Sequence, residues 1–305
     1  MSVQQTIDII GVPSDLGANM RGSDMGPAAL RIAELKRKIE IQGYKVNDLG
    51  NIDVPVRDAL PKEIHDEKFL SPLSKICSDL CEKTYESVKQ GHFPLTIGGD
   101  HSIAVGSISG VAKHFREKNE KIGLVWIDAH ADINTPDSSP SGNIHGMPLA
   151  TILGSGHPSL VEIGGPGAKV SPANVALIGI RTIDDHEKAE LKRSGIHYYS
   201  MRDVDERRMY PIMKEAIEFV SEGTSGIHVS FDIDGIDPQY TPGVSTPVSG
   251  GLTFRESHLL LEMLYETNKM CSLDFVELNP FTDVGAQSAN VTVDLILSAL
   301  GKSIV

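Results

Sequence analysis

The sequence predicts an α/β protein built around a parallel β-sheet. Apolar runs rich in β-type residues alternate with amphipathic segments along nearly all of the 305 residues. This alternation is typical of parallel strands joined by right-handed helical crossovers. Several of the apolar runs also end in acidic residues or histidines. Such endings are expected when a binding site lies at the carboxyl edge of a parallel sheet.

Eight runs are predicted to be strands because they are short, apolar and bounded by turn residues or charges. They comprise residues 6–12, 44–49, 94–98, 122–128, 175–180, 197–199, 226–232 and 272–278. The apolar stretch 122–127 has no polar residue, as expected of a strand buried on both faces. The length allows one or two domains. We favour a single domain over residues 1–305, because the candidate site residues come from segments spread over more than half the chain.

Seven segments between or after these strands show amphipathic patterns and are predicted to be helices. They comprise residues 27–42, 70–90, 101–118, 184–194, 204–222, 253–267 and 286–300. The first has Pro27 in its first turn and ends before Gly43, which is the usual punctuation of a helix. Segments rich in Gly, Pro and Ser at 134–148, 154–171 and 239–251 are predicted to be loops.

The composition argues against several classes of protein. A formal net charge of -13 and a pI of about 5.3 disfavour nucleic-acid binding, because phosphate contacts need a basic surface. We expect no membrane span and no signal peptide, since no long apolar run is present. The chain has three cysteines, Cys77, Cys81 and Cys271, and no Cys-x-x-Cys motif. An odd number of cysteines without this motif favours reduced thiols in a cytoplasm. Cys77 and Cys81 share a helical face and are expected to be core thiols.

The most informative stretch follows the apolar run 122–127. Asp128, His130 and Asp132 recur there at every second position. Alternate residues of an extended segment point to one face, so the three side chains would aim at one spot. Two carboxylates and an imidazole at such a place favour a divalent metal ion. The alternative is an ordinary solvated strand end followed by a turn.

Three other predicted strands end in the same kind of residue. His101 follows two glycines, Asp232 and Asp234 are again spaced by two, and Glu277 precedes Asn279 and Pro280. Because the carboxyl ends of parallel strands meet at one edge of the sheet, we expect these side chains to converge. The candidate metal ligands are therefore His101, Asp128, His130, Asp132, Asp232 and Asp234.

The chemistry of these six residues favours a pair of metal ions. Four carboxylates and two imidazoles exceed the needs of one tetrahedral zinc and suit two Mn²⁺-type ions that share carboxylates. Such a pair lowers the pKa of a bridging water and so produces a hydroxide nucleophile near neutral pH. The negative charge that remains favours a cationic electrophile. Glu277 would anchor a guanidinium there by paired, charge-assisted hydrogen bonds.

Three motifs resemble the signatures of the ureohydrolase superfamily, which includes arginases and agmatinases. They are Gly98-Gly99-Asp100-His101-Ser102, Asp128-Ala129-His130-Ala131-Asp132 and Ser230-Phe231-Asp232-Ile233-Asp234-Gly235-Ile236-Asp237-Pro238, in the order of the family. The similarity extends from Gly11 to Pro280. It implies the arginase fold, a three-layer αβα sandwich around a parallel sheet of about eight strands. It also implies a binuclear Mn²⁺ centre, with two ions per subunit, held by the six ligands named above.

The segment after Asp132 resembles the substrate loop of arginases, and the short segment after Leu300 favours the bacterial type of arginase. The resemblance implies that three residues of the loop bind the α-carboxylate of L-arginine, namely Asn134, Ser141 and Asn143. His145 would be a proton shuttle at the mouth of the pocket, a role that suits an imidazole near neutral pH. Alternatively, His145 is a loop histidine that caps a turn. Thr246 and Glu277 match the positions that line and anchor the guanidinium.

One segment departs from the family pattern. Arginases usually have two acids where this chain has Thr182 and Asp184, and Thr182 replaces the first of them. The resemblance assigns Asp184 to the α-ammonium group of the substrate, with water-mediated support from Glu187. The alternative is that Asp184 only caps the amino end of the following helix.

The predicted activity is the hydrolysis of L-arginine to L-ornithine and urea. A metal-bridging hydroxide would attack the guanidinium carbon, and Asp132 would relay its proton to the leaving nitrogen. The predicted catalytic residues are Asp132, His145 and Glu277. An agmatinase, another guanidino-acid ureohydrolase and a non-catalytic metal-binding paralogue are the alternatives. The resemblance also implies a homo-oligomer, either a trimer or a hexamer.

Overall fold

A computed structural model describes residues 5–302 of the chain. Within this range eight strands form one sheet in the order β2-β1-β3-β8-β7-β4-β5-β6, and all the strand pairs are parallel. The strands are β1 (Thr6–Val12), β2 (Lys45–Asn51), β3 (Phe93–Gly98), β4 (Ile122–Ile127), β5 (Val175–Ile180), β6 (His197–Ser200), β7 (Gly226–Asp232) and β8 (Met270–Val276). The predicted parallel sheet is confirmed, and each predicted strand is present.

Helices cover both faces of the sheet and complete the three-layer arrangement that the resemblance implied. In the described range they are α1 (Gly26–Ile32), α2 (Leu35–Ile41), α3 (Lys62–Asp66), α4 (Leu70–Lys89), α5 (Ala104–Glu117), α6 (Pro148–Ile152), α7 (Pro158–Val161), α8 (Asp185–Ser194), α9 (Met201–Arg207), α10 (Met209–Ser221), α11 (Phe254–Glu266) and α12 (Gln287–Ala299). None of these helices is long and apolar enough to cross a membrane.

Strand β4 separates two apolar cores. Val125 and Ile127 lie in a core with residues of α10, α11 and α12, whereas Leu124 and Trp126 lie in another with residues of α5 and α6. All four side chains are completely buried. The uninterrupted apolar run in the sequence therefore reflects burial on both faces of the sheet.

Helices α4 and α5 pack closely on one face of the sheet. A Cβ atom at Gly106 or Gly110 would lie 2.5 or 2.2 Å from the carbonyl oxygens of Cys77 and Cys81, respectively. Both cysteines are buried and unpaired, and burial raises the pKa of the Cys81 thiol to about 11. The prediction that they are core thiols is confirmed.

Two predicted helices are each divided into two. The single helix predicted over 27–42 is wrong, because α1 ends at Ile32 and α2 begins at Leu35, with Glu34 between them at a φ of 63°. The helix predicted over 204–222 is likewise interrupted at Arg208, whose φ is 68°. The apolar pattern continues through both breaks because each pair of helices faces the same core. Neither dividing residue is the Gly or Pro that usually marks an end.

Candidate metal centre

The candidate ligands and Glu277 lie at the ends of four neighbouring strands, in the sheet order β3-β8-β7-β4. His101 follows β3, Asp128 follows β4, Asp232 is the last residue of β7 and Glu277 follows β8. The strand ends are level, because the sheet register pairs Ile97 with Phe275 and Ile127 with Phe231. The four strand ends therefore meet at one edge of the sheet, as predicted.

One group of ligand atoms surrounds the imidazole of His101. Its Nδ1 atom lies 3.1 Å from Asp128 Oδ2, 3.2 Å from Asp132 Oδ2 and 3.1 Å from Asp232 Oδ2. A ring nitrogen carries at most one proton and cannot donate to three carboxylates. Four donor atoms drawn together in this way fit a shared cation. His101, Asp128 and Asp232 offer atoms close enough together to hold one ion.

A second group shares Asp128 with the first. His130 Nδ1 lies 3.4 Å from Asp128 Oδ1 and 3.2 Å from Asp234 Oδ2, and these three residues also satisfy the geometry of an ion site. Asp128 thus presents one carboxylate oxygen to each group. Asp132 belongs to neither three-residue set, although its Oδ2 atom faces His101. The six predicted ligands are all brought together: five of them form two groups that share Asp128, and Asp132 contacts the first group at His101.

Strand alternation, which was the predicted reason for the spacing of Asp128, His130 and Asp132, is not what places these residues. Strand β4 ends at Ile127, and Asp128, His130 and Asp132 lie in irregular backbone beyond it. Asp128 Oδ1 accepts a hydrogen bond of 2.7 Å from the His130 N–H, a turn typical of Asp. Asp132 follows in a left-handed conformation with a φ of 51°. The side chains therefore converge through turns, and strand alternation does not place them.

Contacts from outside the two groups orient their members. His101 Nε2 lies 3.0 Å from Ser230 Oγ, and the His101 ring stacks on Trp126 at a centroid distance of 4.1 Å. Trp126 Nε1 donates to Asp128 Oδ2 at 3.0 Å, and Thr246 Oγ1 donates to Asp234 Oδ2 at 2.8 Å. Such contacts fix the tautomer and direction of metal-binding side chains. Ser230 and Trp126 were not among the site residues predicted from the sequence.

The electrostatics of the site favour a bound cation. Burial, together with the charge of Asp128, raises the pKa of Asp132 to about 7. Burial and the charge of Asp234 raise the pKa of Asp232 well above its usual value. Crowded, buried carboxylates of this kind are costly to ionise without positive charge beside them. Four carboxylates and two imidazoles without a thiol are the donors that suit Mn²⁺ and related divalent ions. The residues therefore fit a binuclear metal site.

A cavity of about 230 Å³ opens beside the two groups. Its lining consists of His130, Asp132, Asn134, Ser139, Pro140, Ser141, His145, Gly146, Asp184, Glu187, Asp232, Asp234 and Thr246. Most of the predicted substrate-binding residues thus share one cavity with four of the six candidate ligands, and His101 and Asp128 do not line it. Asn143 does not line it, and its backbone N–H donates to Ser141 Oγ at 3.2 Å. Ser139, to which the sequence analysis gave no role, does line it.

Glu277 is not among the residues that line this cavity, but it contacts His145, which does line it. Glu277 is 1% exposed and has a left-handed backbone with a φ of 63°. Its Oε1 atom accepts a hydrogen bond of 2.9 Å from the His101 N–H and lies 3.0 Å from His145 Nδ1. Its Oε2 atom is buried and has no hydrogen-bond partner in the described part of the chain. A buried carboxylate oxygen in this state is suited to receive a donor from a ligand.

His145 connects Glu277 to the cavity. Its backbone N–H donates to the Gly17 carbonyl at 3.1 Å. Burial lowers the pKa of its imidazole, but the hydrogen bond to Glu277 and the charge of that group outweigh this effect and raise it to about 9. The imidazole is therefore a hydrogen-bonded part of the site as well as a loop side chain.

Asp184 lies at the amino end of α8, as the predicted helix-capping role requires. Its Oδ1 atom accepts from the Glu187 N–H at 2.9 Å, and Glu187 Oε2 accepts from the Asp184 N–H at 3.0 Å. Asp184 is thus the N-cap of a complete capping box. Its Oδ2 atom accepts from Asn134 Nδ2 at 2.7 Å inside the cavity. The same carboxylate can therefore cap the helix and face a ligand.

The fold and the site together define a metal-binding α/β protein with its centre at the carboxyl edge of a parallel sheet. Comparison with known families matches residues 5–301 to the arginase family. The arginase of Bacillus caldovelox is 46% identical over 98% of this chain and 99% of its own length, and that of Bacillus subtilis is 43% identical over 99% and 100%. The chain belongs to the arginase family.

Solved structures agree with this assignment. The native structure of the Bacillus caldovelox arginase at pH 5.6 superposes with a TM-score of 0.94, at 45% identity over 99% of this chain and 100% of the other. A hypothetical agmatinase from Burkholderia thailandensis gives a TM-score of 0.74 at 24% identity, over 97% and 85% of the two chains. At that identity the likeness concerns the fold alone.

Proposed function

We propose that this protein is an arginase that hydrolyses L-arginine to L-ornithine and urea with two Mn²⁺ ions per subunit. The observation that carries the proposal is the buried Oε2 atom of Glu277, which has no hydrogen-bond partner among residues 5–302 and belongs to a side chain that contacts His101 of the first ligand group. A cationic guanidinium would pair with this oxygen through a charge-assisted hydrogen bond. Full-length similarity to arginases supports the same substrate.

The six ligands are assigned to the ions by the observed grouping. His101, Asp132 and Asp232 would hold one ion, His130 and Asp234 the other, and Asp128 both. When bound, the two ions supply Lewis acidity and activation of water near neutral pH. Oxygen and imidazole donors without thiolate support manganese over zinc. Metal analysis of the purified protein tests this identity.

Proton transfer is assigned to Asp132 and His145. Asp132 contacts His101 of the first ligand group and also lines the cavity, so its carboxylate would carry a proton from the attacking water to the leaving nitrogen. The nitrogen must be protonated because an amide anion is too basic to leave. His145 lines the cavity and contacts Glu277. It would exchange protons between the site and the solvent after the products depart.

Neutral and acidic residues of the cavity would orient the amino-acid end of the substrate. Asn134 and Ser141 would bind the α-carboxylate, with Asn143 acting through its contact to Ser141. Asp184 would bind the α-ammonium group, and Glu187 would support it through water. Thr246 lines the cavity and hydrogen-bonds Asp234, so it would shape the guanidinium end of the pocket.

Paired substrates test the proposed specificity. With Mn²⁺ present, kcat/KM for urea release should be at least about 100-fold higher for L-arginine than for agmatine, because agmatine lacks the α-carboxylate and its charged hydrogen bonds. Ser141→Ala should lower kcat/KM for L-arginine about tenfold and leave the value for agmatine unchanged. Ser155→Ala, at an exposed serine outside the cavity, is the matched control.

An agmatinase and a non-catalytic paralogue, two of the three alternatives, give different results in the same assay. A preference for agmatine would assign the protein to the agmatinases. Metal binding without urea release from any guanidino compound would indicate a non-catalytic paralogue. Either result contradicts the proposed substrate.

Asparagine and alanine at position 184 separate the two roles of Asp184. Asparagine caps helices about as well as aspartate, so Asp184→Asn should change the free energy of unfolding by less than about 0.5 kcal/mol, whereas Asp184→Ala should cost about 1 kcal/mol. Both variants remove the charge that would bind the substrate ammonium and should raise KM for L-arginine at least about tenfold. Urea-induced unfolding and steady-state kinetics measure the two effects. An unchanged KM in Asp184→Asn would leave Asp184 as a helix cap only.

We further propose that residues 1–305 form one catalytic domain, which acts in the cytoplasm as a homotrimer or homohexamer. A single sheet that spans the described chain supports one domain, and reduced cysteines support the location. Large apolar side chains at Ile32 and Phe281 are 83% and 79% exposed, as is common in subunit contacts. The mass of the native protein in solution tests the assembly, and a monomer would contradict it.

A further inference from the structure

Arg181 follows β5 directly and has an unusual set of partners. Its guanidinium donates only to backbone carbonyls, and none of the carboxylates in the described chain lies within 4.0 Å of it. The acceptors are the carbonyls of Gly179 at 3.2 Å, Asp234 at 2.7 Å, Gly235 at 3.0 Å, Ile236 at 3.4 Å and Val248 at 2.7 and 3.2 Å. This half-buried arginine therefore holds loops through their backbone carbonyls, and none of the carboxylates in the described residues pairs with it.

The backbone of the same residue holds another loop. The N–H groups of Arg181 and Thr182 both donate to the carbonyl of Ala129, at 2.9 and 3.1 Å. Ala129 lies between Asp128 and His130. Arg181 therefore binds the Asp128–His130 loop through its main chain and the loop that carries Asp234 through its side chain.

These loops carry all of the second ligand group, and they carry Asp128 of the first group because the two groups share it. Asp128, His130 and Asp234 form the second group. Val248 lies two residues beyond Thr246, whose hydroxyl donates to Asp234 Oδ2, so Arg181 also holds the loop that orients this ligand. Neither His101 nor Asp132 receives a hydrogen bond from Arg181.

We propose that Arg181 is a positioning residue for one of the two metal ions. It sets the distance between Asp234 and the Asp128–His130 pair, and this distance determines how tightly the second ligand group binds its ion. The inference rests on the proposed binuclear function. It predicts that loss of the guanidinium weakens one metal site selectively and leaves the site at His101 intact.

Lysine cannot replace arginine in this role. The guanidinium has five donors in a rigid plane, which lets it bind carbonyls of two loops at once, whereas the lysine ammonium has three donors on a flexible stem. Arg181→Lys therefore keeps the positive charge and loses the geometry. Arg181→Met loses both and keeps much of the side-chain volume.

Titration with Mn²⁺ alone tests the inference in the full-length protein. Calorimetry should give two equivalents in the unsubstituted protein, with one of them about tenfold weaker in Arg181→Lys and about 100-fold weaker in Arg181→Met. Electron paramagnetic resonance should show the signal of a coupled manganese pair in the unsubstituted protein. At the same metal concentration it should show mainly isolated manganese in the variants.

Arg57→Lys is the matched control, because Arg57 also donates to backbone carbonyls, those of Asp15 at 2.7 Å and Ala18 at 2.9 Å, away from the second ligand group. It should bind both equivalents normally. Thermal unfolding with saturating metal verifies that each variant is folded. If Arg181→Met does not fold, the metal affinities of Arg181→Lys test the inference.

Two results would overturn the inference while leaving the proposed function in place. One is normal affinity for both equivalents in a folded Arg181→Lys. The other is equal weakening of both equivalents, since Arg181 would then support the fold in general. Failure of the unsubstituted protein to bind two ions or to release urea from L-arginine would instead remove the proposed function, and the inference with it.

Discussion

Replacement of Glu277 by glutamine should lower kcat for L-arginine at least about 1000-fold, because an oriented charge in a buried site contributes most of its energy to the reacting state. The amide would keep an oxygen acceptor for the His101 N–H, which now lies 2.9 Å from Oε1. It would lose the negative charge that pairs with the guanidinium. Two metal ions should remain bound, since Glu277 belongs to neither ligand group.

Urea release and metal content must be measured on the same preparation of this variant. Glu266→Gln, at an exposed glutamate in the last turn of α11, controls for the loss of one surface charge and should be fully active. Near-normal urea release by Glu277→Gln would remove this residue from the mechanism. Loss of activity together with loss of metal would mean that Glu277 supports the ions, and the substrate role would be wrong.

Replacement of Asp128 by asparagine should abolish binding of both ions, with a fall in kcat/KM of at least about 1000-fold. Asp128 belongs to both ligand groups and presents a different oxygen to each. Asparagine has only one carbonyl oxygen and no charge, so it cannot serve as a bridge. Asp137→Asn, at an exposed position of the substrate loop, should retain both ions and full activity.

The same substitution should remove the effect of metal on stability. An ion present at 100 times its dissociation constant stabilises the folded state by about 2.7 kcal/mol, which raises the Tm of a chain of this size by a few degrees. Removal of metal from the unsubstituted protein by a chelator should reverse this rise. Thermal unfolding of Asp128→Asn should not respond to Mn²⁺. A normal response in that variant would contradict the assignment of Asp128 as the shared ligand.

Two residues proposed to act directly in the reaction have strained backbones. Asp132 and Glu277 both adopt left-handed conformations, with φ angles of 51° and 63°. Non-glycine residues pay roughly 1 kcal/mol or more for this conformation. Strain of this kind often occurs at functional sites, where the surrounding structure holds a side chain in an otherwise unfavourable place. No feature of the sequence indicated this strain. The strand predicted over 272–278 also included Glu277, whereas in the structure Glu277 follows β8.

Some contacts around the candidate ligands could be expected from the sequence, and others could not. Ser230 precedes Asp232 by two residues on β7, so strand alternation already placed it on the same face as that ligand. Its contact with His101, however, depends on the packing of β3 near β7 across β8. Ser139 and Arg181 left no such local signal. Their roles depend on which loops meet, and loop conformation is weakly encoded in short segments.

The sequence by itself determined the chemistry and the class of fold. Apolar runs predicted the strands because burial on two faces selects apolar residues along their whole length. Residue types at the strand ends indicated Asp128, His130 and Asp232 as candidate metal ligands. Only the tertiary structure decided that β7 and β8 insert between β3 and β4. This insertion brings His101 against Asp128 and Asp232, and it divides the ligands into two groups with one shared carboxylate. Strand order is set by long-range packing and pairing, which leave no periodic trace in any local stretch of the chain.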